Sequence, residues 1–197
     1  MYKNIAITTL MFVFTSLSSA EFIYSNNFSS TPGSEWSTTK TKQAPSGERF
    51  LGDWSNSTVS LSLNGLPSHN KITLKLDLYI IYSMDGNWGD IWSLSIQDGP
   101  VLLNTTFSNP LRDADTPQSY PDNYPSSNPA QSGADAINSL GFNTVSNGYI
   151  NPVFGDSTYN LEYTFAHTAE NIVINFQGSG MGQIQEESWG IDNVSVE

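Results

Sequence analysis

The sequence predicts an all-β fold: a two-sheet antiparallel β-sandwich of the jelly-roll kind, with one long irregular insertion. Three observations predict it. Apolar residues alternate with period 2 in six successive segments. Turn residues separate the segments, at Asn64-Gly65 with Pro67, Asp85-Gly86, Asp98-Gly99-Pro100 and Gly178-Ser179-Gly180. No long run carries the helical period.

Taken in order, Glu21 to Phe28 and Arg49 to Trp54 read as weak strands. Ser57 to Asn64 places Val59, Leu61 and Leu63 on one face. Lys71 to Ile80 turns Ile72, Leu74, Leu76, Leu78 and Ile80 inward, and Lys71, Thr73, Lys75, Asp77 and Tyr79 toward water. Ile91 to Gln97 aligns Trp92, Leu94 and Ile96; Val101 to Phe107 aligns Val101, Leu103 and Phe107. Tyr159 to Phe165 and Asn171 to Phe176 follow the same rule, and Ser188 to Val196 is a weaker closing strand. Residues 108–157 break the rhythm. They hold six prolines, Pro110, Pro117, Pro121, Pro125, Pro129 and Pro152, among Asn, Ser, Asp and Gly, with a short helical turn expected near Ala134 to Ser139. Long irregular insertions tend to be functional or mobile.

The chain has 197 residues, no Cys, and 7 basic against 19 acidic residues, for a formal charge of −12. The missing Cys excludes disulfides, thiolate metal sites and cysteine nucleophiles. The acidic balance argues against a nucleic-acid partner, which needs clustered Lys and Arg. Met1 to Ala20 reads as a secretory signal peptide: Lys3 opens it, Ile5 to Leu17 is its apolar stretch, and Ser18-Ser19-Ala20 is the cleavage site. Residues 21–197 are then one β-sandwich domain, secreted, with no segment long and apolar enough for membrane insertion.

Several residue groups carry candidate chemistry. Asp85, Asn87 and Asp90 offer oxygen ligands at short spacing around Gly86 and Gly89, a pattern that suits Ca2+; an Asx-rich turn is the plainer reading. Asp192 shares parity with Val194 and Val196, so it should be buried, and a buried carboxylate must be paired, hydrogen-bonded or metal-bound. A bulge between Gly190 and Asp192 is one way to reconcile it with Trp189 and Ile191. Glu186 and Glu187 invite a glycosidase reading, but neighbours in a strand face opposite ways, and no partner such as Glu162 is singled out. The only histidines, His69 and His167, lie in no nucleophile motif. Tyr79, Trp88, Tyr120 and Tyr124, with Tyr149, are rings set among polar groups, the combination that sugar binding uses. Sequons at Asn27, Asn56, Asn104 and Asn193 would make the chain a glycoprotein in a eukaryotic secretory pathway.

The ending Ser188-Trp189-Gly190-Ile191-Asp192-Asn193-Val194-Ser195-Val196 is similar to the closing strand of MAM domains. It also resembles bacterial extracellular carbohydrate-binding-like domains that end in a W-G-I-D-N-V motif. Asp77 to Ile81 followed by Asp85-Gly86-Asn87, and Phe165-Ala166-His167-Thr168, resemble the same bacterial domains. The resemblance implies a galactose-binding-like or concanavalin-like sandwich, commonly with a structural Ca2+, that binds glycans or proteins. It makes Asp192 a Ca2+ ligand candidate in its own right. The leading expectation is therefore a secreted, non-catalytic, Ca2+-stabilised glycan-binding or adhesive module, whose partner is a glycan or an extracellular protein. The alternatives are a self-assembling structural subunit of an extracellular coat, matrix or filament, and a glycoside hydrolase.

Overall fold

The computed structural model describes residues 23–109, 116–142 and 155–197, together with the backbone of 144–146 and 149–151. The expected leader lies outside the described residues. Among the described residues thirteen strands occur: β1 Tyr24–Asn26, β2 Thr41–Gln43, β3 Arg49–Trp54, β4 Thr58–Asn64, β5 Lys71–Tyr82, β6 Ile91–Ile96, β7 Val101–Thr106, β8 Ala136–Ile137, β9 Thr144–Ser146, β10 Tyr149–Asn151, β11 Asp156–Ala166, β12 Asn171–Ser179 and β13 Glu187–Val196. One 3-10 turn, Gly86–Trp88, interrupts them.

The strands form the predicted two-sheet antiparallel sandwich. One sheet runs β2-β3-β13-β5-β11-β8, with β1 added beside β13. The other runs β4-β12-β6-β7, and β9 and β10 make a separate hairpin. Most of the alternation read from sequence becomes the core directly; Val101, expected inward with Leu103 and Phe107, is instead 64% exposed, beyond a register shift in the β6–β7 pairing. Ile72, Leu74, Leu76, Leu78 and Ile80 of β5 meet Val59 and Leu61 of β4, Trp92 and Leu94 of β6, and Ile174 and Phe176 of β12 in one apolar layer between the sheets. Each such side chain gains about 1.5–3 kcal/mol on leaving water. Aromatic contacts tie the layer together. Trp189 lies 5.1 Å from Trp54 and 6.1 Å from Trp92, and Phe107 lies 4.5 Å from Tyr159, ring centre to ring centre.

Two sequence expectations change here. Tyr79 has the outward parity predicted for it, but its face is not wet. Phe50, Ile81, Leu140, Phe142 and Ala44 make a second apolar cluster over that end of the large sheet, and Tyr79 is buried in it. The covering residues Leu140 and Phe142 come from the irregular insertion, so part of the insertion is core. The helical turn expected near Ala134 to Ser139 is instead the two-residue strand β8, paired with Ser157 and Thr158 of β11. The pairing supplies partners for backbone groups that a lone helical turn would leave open.

Elsewhere in the insertion short backbone pairings, such as Gln118 with Asn128, are supplemented by side chains, since its prolines cannot donate to ladders. Fully buried Gln118 accepts from Ser108 N–H (3.0 Å) and Gln131 N–H (2.9 Å), and donates to the Tyr120 and Ser132 carbonyls. Asn109 Nδ2 donates to the Ile80 and Tyr82 carbonyls at 3.1 Å. Residues 120–124 also cap the edge of β7: Tyr120 N–H donates to the Thr106 carbonyl and Tyr124 N–H to that of Asn104.

If 140–142 belongs to the cooperative core, Phe142→Ala should cost about 3 kcal/mol, the range for a buried Phe truncated to Ala. Urea unfolding would show the midpoint falling. An unchanged midpoint would mean that this segment does not share in cooperative folding.

Candidate functional site

The loop after β5 is fixed on both sides. Gly86 N–H donates to the Phe107 carbonyl (3.1 Å), Asn87 N–H donates to that of Pro117 (2.9 Å), and Asp85 forms a bridge with Ser108. Gly86 is required at its position: its φ is +61°, and a Cβ would run into the Pro117 carbonyl. On the other side Glu187 opens β13 and pairs with Tyr82, the last residue of β5. The β5–β13 ladder therefore delivers Glu187 to the base of the Asp85 loop.

Three carboxylates converge there. One oxygen each from Asp85, Asp90 and Glu187 lies within 4.8 Å of the others. Asp90 and Glu187 are buried and Asp85 is half-buried. Asp85 N–H donates to Asp90 Oδ2 at 2.6 Å, and Gly182 N–H donates to Glu187 Oε2. Burial pushes Glu187 up to about 7, against the Gly182 bond and with the added charge of Asp90 and Asp85. Burial likewise pushes Asp90 up to about 6. Asp85 is raised as well, by burial and by the charge of Glu186. The ion pairs among the described residues join Lys40 and Lys42 to Asp53 and Lys75 to Glu197, so none neutralises these three. Ser108, opposite Asp85, is fully buried and its hydroxyl has no hydrogen-bond partner. Three hard oxygen donors around one point could hold a metal ion.

The residues singled out from sequence fall into separate groups. Asp85 and Asp90 are in the triad, and Glu187 joins them. Asn87 faces away from it: its Oδ1 accepts from Thr106 (2.5 Å) and Ser119 (2.7 Å), and its Nδ2 donates to the Ser126 carbonyl. Its amide is spent on tying the insertion to the loop. Asp192 stands apart, five positions along β13 from Glu187, or roughly 17 Å at the strand rise. It is fully buried against the outer cluster, accepting from Tyr79 Oη (3.1 Å) and from Asn193 N–H (2.8 Å). Its parity puzzle resolves through a register shift between Asp192 and Ser195, where Asn193 takes φ +47°. Ile191 and Val194 face the inner core and Asp192 faces the covered outer layer.

Among the aromatic candidates, Tyr79 is buried. Tyr120 packs 5.0 Å from both Phe107 and Tyr159, so it is part of the core wall. Trp88 is 80% exposed and Tyr124 40%. Both are carried on the loops that the Asn87–Ser126 bond joins. Tyr149 has no described side chain. The sequon residues Asn27, Asn56 and Asn193 are exposed, and Asn104 is half-buried. Glu186 is exposed beside buried Glu187, so that pair does not face a common cleft.

Glu187 was not recognisable as a partner of Asp85. The signal was indirect: the strand that ends just before Asp85 and the strand that begins at Glu187 are neighbours only in the folded sheet. Among the described residues no helix is long and apolar enough to cross a membrane.

No protein-family model matches the sequence, and no curated protein matches it. Weak similarities to solved structures exist. The K3 cleaved adhesin domain of Lys-gingipain from Porphyromonas gingivalis w83 matches over 90% of this chain and 99% of its own, at 11% identity and a TM-score of 0.43. Dimeric latent PorU from Porphyromonas gingivalis matches over 75% of this chain at 12% identity and a TM-score of 0.44; this chain spans only 10% of its length. The C-terminal CBM6 of LamC, a marine laminarinase from Zobellia galactanivorans, matches over 89% of this chain and 91% of its own, at 11% identity and a TM-score of 0.32. At such scores these likenesses carry no argument, and the architecture rests on the strand ladders themselves.

Burial pushes Asp192 up to about 7, opposed by the Asn193 and Tyr79 bonds, whereas an unfolded aspartate titrates near about 4. The folded form holds the extra proton between those values. The stability it lends is fully present below about pH 4 and is lost as pH rises through about 7. Asp192→Asn keeps an oxygen for Asn193 N–H and an amide to donate to Tyr79, without a titratable charge. It should flatten the fall in melting temperature between about pH 5 and pH 8. An unaltered slope would remove Asp192 from the account.

Proposed function

We propose that the chain is a Ca2+-stabilised glycan-binding or adhesive module working outside the cell, with Asp85, Asp90 and Glu187 as the cation site and Trp88 as the leading contact residue. The observation that carries this reading is the position of Trp88. It sits on the single turn between Asp85 and Asp90, so a cation that holds those two carboxylates also fixes the turn presenting the ring. Ca2+ takes 6–8 oxygens. Three carboxylates would supply part of that shell, and nearby carbonyls, the Ser108 hydroxyl or water the remainder. A flat exposed indole beside polar groups suits a sugar, whose C–H face stacks while its hydroxyls hydrogen-bond. Tyr124, on the adjoining loop, is the second ring offered to a ligand. The leader-like residues 1–20 support an extracellular site of action.

A binding role fits better than hydrolysis. Glycosidases need two carboxyl groups separated by roughly 5–10 Å across an open sugar site. Here Asp90 and Glu187 are buried within one tight cluster. Assembly through sheet edges is the weaker alternative, because residues 120–124 already occupy the edge of β7.

A cation at a hundredfold excess over its Kd adds about 2.7 kcal/mol, and about 1 kcal/mol is worth roughly 2–4 °C in a domain of this size. Chelation at neutral pH should therefore lower the melting temperature by about 5–10 °C. Glu187→Gln should abolish the response to Ca2+ and chelator. A chelator-insensitive melting curve would eliminate the cation site. Separately, Trp88→Ala should leave the melting curve unchanged while abolishing the signal on a glycan array. Undiminished glycan binding by that variant would rule out Trp88 as the contact.

A further inference from the structure

Four large apolar side chains stand exposed among the described residues: Trp88, Val101, Tyr124 and Ile137. Two of them, Trp88 and Tyr124, ride on segments that are bonded to each other, and Asn87, next to Trp88, makes the joint. Its N–H donates to the Pro117 carbonyl (2.9 Å) and its Nδ2 to the Ser126 carbonyl (2.6 Å), while its Oδ1 accepts from Thr106 (2.5 Å) and Ser119 (2.7 Å). The second segment, residues 117–128, is itself fastened. Gln118 and Asn128 pair backbone to backbone (3.0 and 2.7 Å), Ser119 Oγ accepts from Ser126 N–H (3.2 Å), and Asn128 Nδ2 donates to the Ser119 carbonyl (2.8 Å). At Tyr124 it is tied to β7: Tyr124 N–H donates to the Asn104 carbonyl (2.8 Å) and Asn104 N–H to Asn123 Oδ1 (2.9 Å).

Neither ring is enclosed: Trp88 is 80% exposed and Tyr124 40%. A site that captures a single sugar or a chain end closes around it and buries most of its surface. An open ring covers one face of a sugar unit and leaves both neighbouring units free to continue. Two such rings, on segments fastened to each other, suit a chain that runs over both. Rings already fixed in place also spare the ordering cost that mobile loops meet on binding. Charge narrows the ligand further. Neither the turn 85–90 nor the segment 117–128 contains Lys or Arg, while together they hold Asp85, Asp90 and Asp122. With Glu187, the triad outweighs a bound Ca2+ by one negative charge. Sulfate or carboxylate groups on a ligand would meet repulsion here, with no basic side chain in either segment to pair with.

We propose that Trp88 and Tyr124 form one open platform for internal units of a neutral polysaccharide chain, with Asn87 as the residue that positions one ring against the other. The inference rests on the glycan-binding reading above and adds two things to it: a chain rather than a chain end, and a neutral chain rather than an acidic one. Asn87 acts through the rings and not on the sugar, because both ends of its amide are consumed by Thr106, Ser119 and Ser126. Once a chain rests on Trp88, its contact with Tyr124 is made within a molecule already bound, so affinity grows with chain length until both rings are covered. Without the Asn87 clamp the rings are two separate weak contacts and that growth is lost.

Affinity electrophoresis of the full chain with Ca2+ present tests this, with mannan, xylan, dextran and hydroxyethylcellulose as neutral polymers and chondroitin sulfate and hyaluronan as acidic ones. A neutral polymer should retard the chain and the acidic ones should not. In calorimetric titration with fragments of the retarding polymer, the octasaccharide should bind about tenfold or more tighter than the disaccharide. Tyr124→Ala should erase that gain, and Asn87→Ala should erase it too although it alters neither ring. Ser119→Ala removes one partner of the Asn87 amide at a smaller loss of packing, should reduce the gain, and decides the matter if Asn87→Ala does not fold. Retardation by none of the polymers would remove the glycan-binding reading together with this inference. Equal affinity for disaccharide and octasaccharide, or stronger retardation by an acidic polymer, would overturn this inference and leave that reading standing. A full gain in Tyr124→Ala would overturn the two-ring platform, and a full gain in Asn87→Ala, or in Ser119→Ala where the former does not fold, would overturn the role of Asn87.

Discussion

The physical constraint on which this molecule turns is the uncompensated negative charge at the end of the β5–β13 ladder. Backbone hydrogen bonds and strand register position Asp85, Asp90 and Glu187 around one point. Gly86 and Gly180 admit loops that pack backbone against backbone, and Glu187 is held in register with Tyr82. Bringing three carboxylates together in a poorly hydrated place is unfavourable unless protons or a cation neutralise them. Around that point meet the turn bearing Trp88, the end of the β12–β13 connection and Ser108, where the insertion begins. The triad is thereby tied to three segments: the β5–β6 turn, the β12–β13 connection through Gly182, and the start of the insertion at Ser108.

The same strand organises the rest. β13 gives Trp189, Ile191, Val194 and Val196 to the inner core, and its bulge at Asn193 turns Asp192 to the opposite face. There Tyr79, which packs with Phe50 in the outer cluster, hydrogen-bonds the fully buried carboxyl. Nearby, burial alone would raise Asp53, yet hydrogen bonds from Lys42 and Lys40 outweigh it and hold its carboxyl below the ordinary value. Two buried acids on one sheet thus end in opposite states because only one of them has basic partners. Lys42 also sits 5.2 Å from the centre of the Phe142 ring, linking the ion pair to the cover layer.

Much of the fold was legible in the sequence because period-2 alternation is a local signal. β4, β5, β6, β7, β11 and β12 all appear where the alternation places them. The covered outer face was not legible, since Leu140 and Phe142 lie far along the chain from Tyr79 and carry no periodic pattern. The insertion, rich in Pro, Asn, Ser, Asp and Gly, was read as irregular, and its ladders are few. What its composition did not reveal is that Gln118 and Asn109 replace ladder hydrogen bonds with buried amide networks. Of the candidate site, the spacing of Asp85 and Asp90 was visible and the contribution of Glu187 was not. The joining of the Trp88 turn to the Tyr124 loop was invisible for the same reason: each depends on which segments become neighbours, a property of topology rather than of any short segment.

Direct titration of the chain with Ca2+ at neutral pH, compared with Glu187→Gln, tests the central claim most closely. The account predicts one Ca2+ per parent chain, with protons released as Glu187 and Asp90 ionise, and no binding to the variant. Equal Ca2+ binding by both proteins, or binding by neither, would contradict it.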